Sequence, residues 1–250
     1  MSCHAEFLRV ALGGDDKLSR AIIGTASGVA PELPKLCTSR QRMLVELVRL
    51  VATTPWTLTR QHRTRAHAAG VDDEALLHTI ALAAYFGHLN RIADATAVPL
   101  DYVVQVQGIP ANPATPALEA APRPLAGRPA LDIAKRPATA TALAAWRTYI
   151  VQKDAPLTRR QRVLIARWVA TWLGDGGISP PDDLTANPLD DKLRSLAEIV
   201  TLAPWQLCDD SFAELRAEGL DDTALFDVCA TASSFGVFSR IEVALVALAS

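Results

Sequence analysis

Residues 51–95 read VATTPWTLTRQHRTRAHAAGVDDEALLHTIALAAYFGHLNRIADA, and residues 200–244 read VTLAPWQLCDDSFAELRAEGLDDTALFDVCATASSFGVFSRIEVA. Slid by 149 positions, the two stretches align without a gap and share 17 identities in 45 positions. The identities include Pro55/Pro204, Trp56/Trp205, Gly70/Gly219, Asp72/Asp221, Asp73/Asp222, Phe86/Phe235, Gly87/Gly236, Arg91/Arg240 and Ile92/Ile241. An alanine-rich composition produces scattered matches, but not Trp, Gly, Asp and Arg in the same order. The chain therefore reads as two diverged copies of one unit.

Working outward, each copy parses into helices with signals at both ends. Thr38 followed by Gln41 is a capping-box pattern, and Met43, Leu44, Leu47, Val48 and Val51 form an apolar stripe behind it. Pro55 ends that helix. A second helix runs from about Thr59 to Ala69, where Gly70 can take the left-handed conformation that closes it. Asp72 then caps a third over 73–96, which stops before Pro99. Copy two repeats the punctuation at Pro204, Gly219 and Asp221, and adds an earlier helix, Arg159–Leu173, opened by a Thr158/Gln161 box. Alternating β-branched residues are nearly absent, so the expected class is all-α.

Seven of the sixteen prolines fall within residues 107–140, a stretch that reads as an extended connector because proline removes backbone donors and blocks helix. The expected organisation is a helical domain over 1–106, a connector over 107–138 and a second helical domain over 139–250. The third helix of each copy is apolar nearly all round, from Leu76 to Ala95 and from Leu225 to Val246, and is expected to be buried on most sides.

Composition narrows the partners. With 25 Lys and Arg against 27 Asp and Glu the net charge is −2, which argues against a nucleic-acid partner. No apolar run approaches the roughly 20 residues that span a bilayer, so no membrane partner is expected. Met1 to Asp15 lacks the pattern of a secretion signal. The four cysteines, Cys3, Cys37, Cys208 and Cys229, form no Cys-x-x-Cys pair. A reducing cytoplasm fits these features.

The segments Thr38–Thr59, Ala68–Leu77 (AAGVDDEALL) and Ala84–Leu100 (AYFGHLNRIADATAVPL) resemble the alkylhydroperoxidase D-like and carboxymuconolactone decarboxylase superfamily. Leu193–Ser239 is similar to it more weakly, and Leu157–Leu173 resembles the family's opening helix. The resemblance implies redox or lactone chemistry on a small molecule without an obligatory organic cofactor, and a homo-oligomer. Peroxidases of the family carry a Cys-x-x-Cys-x-x-x-His site, in which a low-pKa thiolate attacks the peroxide. Here Cys3-His4-Ala5-Glu6-Phe7-Leu8-Arg9 aligns with the motif's histidine and the residues after it, so both motif cysteines would precede Met1. Gly174–Asp191 occupies the equivalent place in copy two. Either the motif is lost or the natural start lies upstream, and its absence from copy two favours loss. Classical thiol peroxidase activity is therefore not expected, and a non-catalytic oligomeric or ligand-binding descendant is the alternative.

All five histidines, His4, His62, His67, His78 and His88, fall in copy one, which is expected to keep the site. On the third helix a 100° advance per residue places Glu74, His78, Tyr85 and His88 within roughly 80° of one another. The candidate catalytic residues are His4, Cys3, His88 and Tyr85, with histidine as acid or base and tyrosine as donor. The candidate substrate contacts are His78, Asn90, Arg91 and Trp56. For each, ordinary packing or hydrogen bonding to neighbouring backbone is the competing reading. Arg91 can pair with Asp94 three residues on. Because Arg240 persists where Val243 replaces the aspartate, the arginine could instead hold an anionic ligand or a helix C-terminus. No His-x-x-x-His occurs, and His62 and His67 point some 140° apart, so no metal is expected.

Overall fold

The computed structural model describes residues 37–97, 116–179 and 187–250. The protein is all-α. Among the described residues there are eight α-helices and no strand, with one isolated parallel bridge between Leu125 and Asp175. The helices are α1 (Ser39–Thr53), α2 (Arg60–Ala68), α3 (Asp73–Thr96), α4 (Pro137–Gln152), α5 (Arg159–Leu173), α6 (Pro188–Leu202), α7 (Asp210–Ala217) and α8 (Asp222–Ala247). Single 3₁₀ turns occupy Pro55–Thr57, Ile133–Lys135 and Pro204–Gln206. The bounds of α1, the first turn, α2 and α3 recur 149 residues on as α6, the third turn, α7 and α8, except that α7 starts one residue late and α8 runs two residues further.

Local chemistry sets these ends. The Gln41 amide donates to Thr38 Oγ1 (3.2 Å) while the Thr38 amide donates to Gln41 Oε1 (2.8 Å), closing the capping box. Thr158 and Gln161 repeat it for α5. Asp72 and Asp221 each accept from the amide three residues on, both at 2.8 Å, at the starts of α3 and α8. Gly70 and Gly219 take φ values of +79° and +89°, a region in which a side chain would be strained.

α3 and α8 pack along each other at the centre, with α1 against α3 and with α5 and α6 against α8. The buried side chains form one continuous core that draws on both halves of the chain. α8 is long and apolar enough to cross a bilayer by length and composition, contrary to the expectation from sequence, yet 89% of its most apolar window is buried inside the protein. α3 is less covered than expected. Leu82, Tyr85 and Leu89 are between 37% and 44% exposed, whereas their counterparts Thr231, Ser234 and Phe238 on α8 are buried under neighbouring helices.

The two repeated arginines lie in this central crossing. Arg240 is 1% exposed, and its guanidinium donates to the carbonyls of Ala52 (3.1 Å), Gly236 (3.1 Å) and Thr201 (3.3 Å). Arg91 donates to Gly87 O (2.8 Å) and Thr201 O (3.2 Å). Ala52 and Thr201 are repeat counterparts in the last turns of α1 and α6, where helix carbonyls lack intrahelical donors and carry partial negative charge. Each arginine thus holds a helix end in the other half of the chain, so of the three readings open for Arg91 the helix C-terminus is the one observed. Asp94 acts on Arg91 through space only, and burial pulls the guanidinium down to about 10. Each arginine also folds back on the glycine four residues before it. A Cβ at Gly87 would lie 3.0 Å from Arg91 Nη1, and one at Gly236 would lie 2.9 Å from Arg240 Nη1.

Residues 107–115 of the expected connector lie outside the described residues. From Pro116 onward the chain is an extended strap whose amides meet helix-terminal carbonyls: Leu118 N to Leu202 O (2.8 Å), Ala121 N to Trp172 O (2.7 Å), Leu125 N to Gly174 O (2.7 Å) and Ala130 N to Leu245 O (2.8 Å). Gly176 allows the close approach, since a Cβ there would sit 2.5 Å from Leu125 O. The strap ends two residues earlier than the connector read from the prolines: Pro137 opens α4, in the first turn where proline is tolerated.

Arg240→Met is expected to lower the urea unfolding free energy by about 2–4 kcal/mol, because it removes the side-chain donor to Ala52 O and one of the two to Thr201 O. Gly236→Ala, worth about 1 kcal/mol in an open helix, is expected to destabilise the wild type and stabilise Arg240→Met. Additive effects in this double-mutant cycle would contradict the packing of the guanidinium on Gly236.

Candidate functional site

The stripe of polar residues on α3 faces α4, a helix not expected from the sequence. Between them lies a groove of 440 Å³, lined by His78, Leu82 and Tyr85 of α3, by Arg136 and by Thr139, Leu143 and Trp146 of α4, and by Val237 of α8. α4 presents Leu143, Trp146 and Ile150 inward at spacings of three and four. That apolar stripe, following a proline suited to a first turn, is the signal by which the helix could have been found.

Aromatic rings run from the groove to the core. Tyr85 meets Trp146 edge-on at 6.3 Å between centroids, His88 meets Trp146 edge-on at 4.9 Å, and Trp146 meets Phe238 at 5.1 Å. Phe238 in turn meets Phe235 at 5.4 Å. Such edge-to-face pairs fix ring orientation as well as burying area. Trp146 is therefore held from below while one side of it lines the groove.

His88 is half-buried beneath Tyr85, and among the described residues its Nδ1 has no hydrogen-bond partner. Burial pushes its pKa below the ordinary histidine value, the Ser233 backbone pulls it the other way, and Arg91 adds a smaller downward push. The net shift favours the neutral imidazole. His78 is exposed on the rim, and Glu74 beside it has a side chain 81% exposed. The counterpart of His78 is Asp227, which forms a buried ion pair with Arg162, Nη1 to Oδ1 at 2.7 Å. The same position therefore serves packing in copy two and is open in copy one.

Other candidates are placed elsewhere. Arg91 is buried in the central crossing and does not line the groove: Nη1 and Nη2 meet backbone carbonyls, and Nε has no partner among the described residues. Asn90 is partly buried beside it and does not line the groove. Trp56 packs against the core behind the first 3₁₀ turn. Cys3 and His4 lie outside the described residues. His62 caps α2, its Nδ1 2.9 Å from Thr59 Oγ1, and His67 Nε2 lies 2.7 Å from Asp73 Oδ1. Among the described residues no cluster of three His, Cys, Asp or Glu is placed to hold a metal. Nor does any described cysteine line the groove. Cys37 and Cys229 are buried, with desolvation pushing the Cys229 thiol up to about 12, and the exposed Cys208 borders a separate groove near the end of α3.

No protein-family model matches this chain, and neither does any curated protein or solved structure compared with it.

The depressed His88 pKa has a consequence for stability. As pH falls below about 6.5, the unfolded chain takes up the proton before the folded one. Stability present above that pH is then lost as pH falls through the folded value. The drop in thermal midpoint from pH 7.5 to 5.5 is expected to be smaller for His88→Gln than for the wild type; equal drops would show that the ring is not held neutral.

Proposed function

We propose that this protein binds a small apolar molecule in the groove between α3 and α4, and that it is a non-peroxidase descendant of the alkylhydroperoxidase D-like and carboxymuconolactone decarboxylase superfamily. The observation that carries the binding reading is the pairing of Tyr85 with Trp146 at the groove, an open apolar slot with fixed aromatic walls and a few polar groups at one end. The matching element bounds 149 residues apart support descent by duplication. The absence of a described thiol from the groove favours binding over peroxide reduction. A second reading, turnover with His88 exchanging a proton, is favoured by its unpartnered Nδ1.

The test is titration with N-phenyl-1-naphthylamine, an uncharged dye that brightens in apolar sites. Saturable binding is expected, weakened at least ten-fold by Ala142→Phe, which fills the groove from an exposed position. Binding unaffected by that variant would place the ligand elsewhere, and no saturable binding would reject the reading.

A further inference from the structure

The groove is not uniformly apolar. Its α3 and α4 walls supply Leu82, Tyr85, Leu143 and Trp146, while its cationic group is the Arg136 guanidinium, at the start of α4. The backbone there is fixed from both sides: the Arg136 amide donates to Ile133 O (2.9 Å) and its carbonyl accepts from Ala140 N (2.9 Å). Among the described residues the guanidinium has one loose contact, 3.8 Å to Glu74 Oε1, and the Glu74 side chain is 81% exposed. A contact so long and so solvated contributes little and leaves the donors of a planar fork available. Thr139, one turn along, adds a hydroxyl to the groove lining, and His78 adds a ring nitrogen from the opposite wall.

We infer that the ligand is an aromatic or conjugated carboxylate whose ring lies against Tyr85 and Trp146 and whose carboxylate is gripped by Arg136. This rests on the binding reading above and specifies the ligand class for that site. A flat ring matches the edge-on aromatic walls, and a carboxylate matches a guanidinium fork in geometry as well as charge. The ionisable groups at the groove are Arg136 and His78, with Glu74 on the rim opposing an anion. Glu74 therefore sets the affinity by competing for the same guanidinium.

A matched pair of probes separates the class of ligand from the existence of the site. Binding of 2-naphthoate and of its uncharged analogue 2-naphthalenemethanol is measured by calorimetry on the full chain at pH 7.5. The acid is expected to bind at least ten-fold more tightly than the alcohol. Arg136→Gln is expected to remove that preference, Arg136→Lys to keep part of it, and Glu74→Gln to tighten the acid two- to three-fold. Equal binding of both probes, or a preference unchanged in Arg136→Gln, overturns the carboxylate inference while leaving the groove as an apolar site. Failure of both probes to bind overturns the site itself.

Discussion

Two guanidinium groups buried in the same crossing, without a carboxylate bonded to either, set the terms for the rest of the molecule. Burying a cation costs several kcal/mol unless donors and charge are matched, and here the match comes from the terminal carbonyls of α1 and α6. Each arginine sits on one central helix and reaches a helix end in the other half of the chain, and Arg240 also reaches Thr201 O in its own half. Burial lowers the pKa of both, and for Arg240 the nearby Arg91 lowers it further. The crossing tolerates this repulsion only with both helix ends in place, which ties the angle of α3 and α8 to the seating of α1 and α6.

From that fixed crossing the site follows. α8 is roofed by α4, α5 and α6, so its large apolar side chains from Val228 onward are buried; α3 leaves Leu82 and Tyr85 partly exposed. α4 reaches across the gap between them and contributes Trp146, which rests on Phe238 of α8 below and faces Tyr85 of α3 at the side. The extended strap before α4 buries Leu131 and packs Leu118, Leu125 and Ile133 against the core. Its work is to satisfy the ends of α5, α6 and α8 with four backbone amides, and this leaves the start of α4, with Arg136, at the groove.

Much of the architecture could be read from punctuation. Thr38 with Gln41, Gly70, Asp72 and their later counterparts act within a turn of their own position, so their sequence signal and their structural effect coincide. Long-range roles were less legible. Arg91 finds its partner 110 residues away, at Thr201, which spacing within a helix cannot show; the repeated Gly-x-x-x-Arg at 87–91 and 236–240 was the available clue. α4 was hidden because Pro137 reads as a helix breaker when it serves as a first-turn residue. The polar face of α3 was legible from helical periodicity, but without α4 its setting, and with it Trp146 and Arg136, could not be seen.

The most direct test of the claim that this groove is a ligand site is a crystal structure of the protein grown with saturating 2-naphthoate. The account predicts the naphthalene ring between α3 and α4 against Tyr85 and Trp146, with its carboxylate within hydrogen-bonding distance of Arg136. A groove closed by direct packing of α3 on α4, with the ligand absent or bound elsewhere, would contradict it.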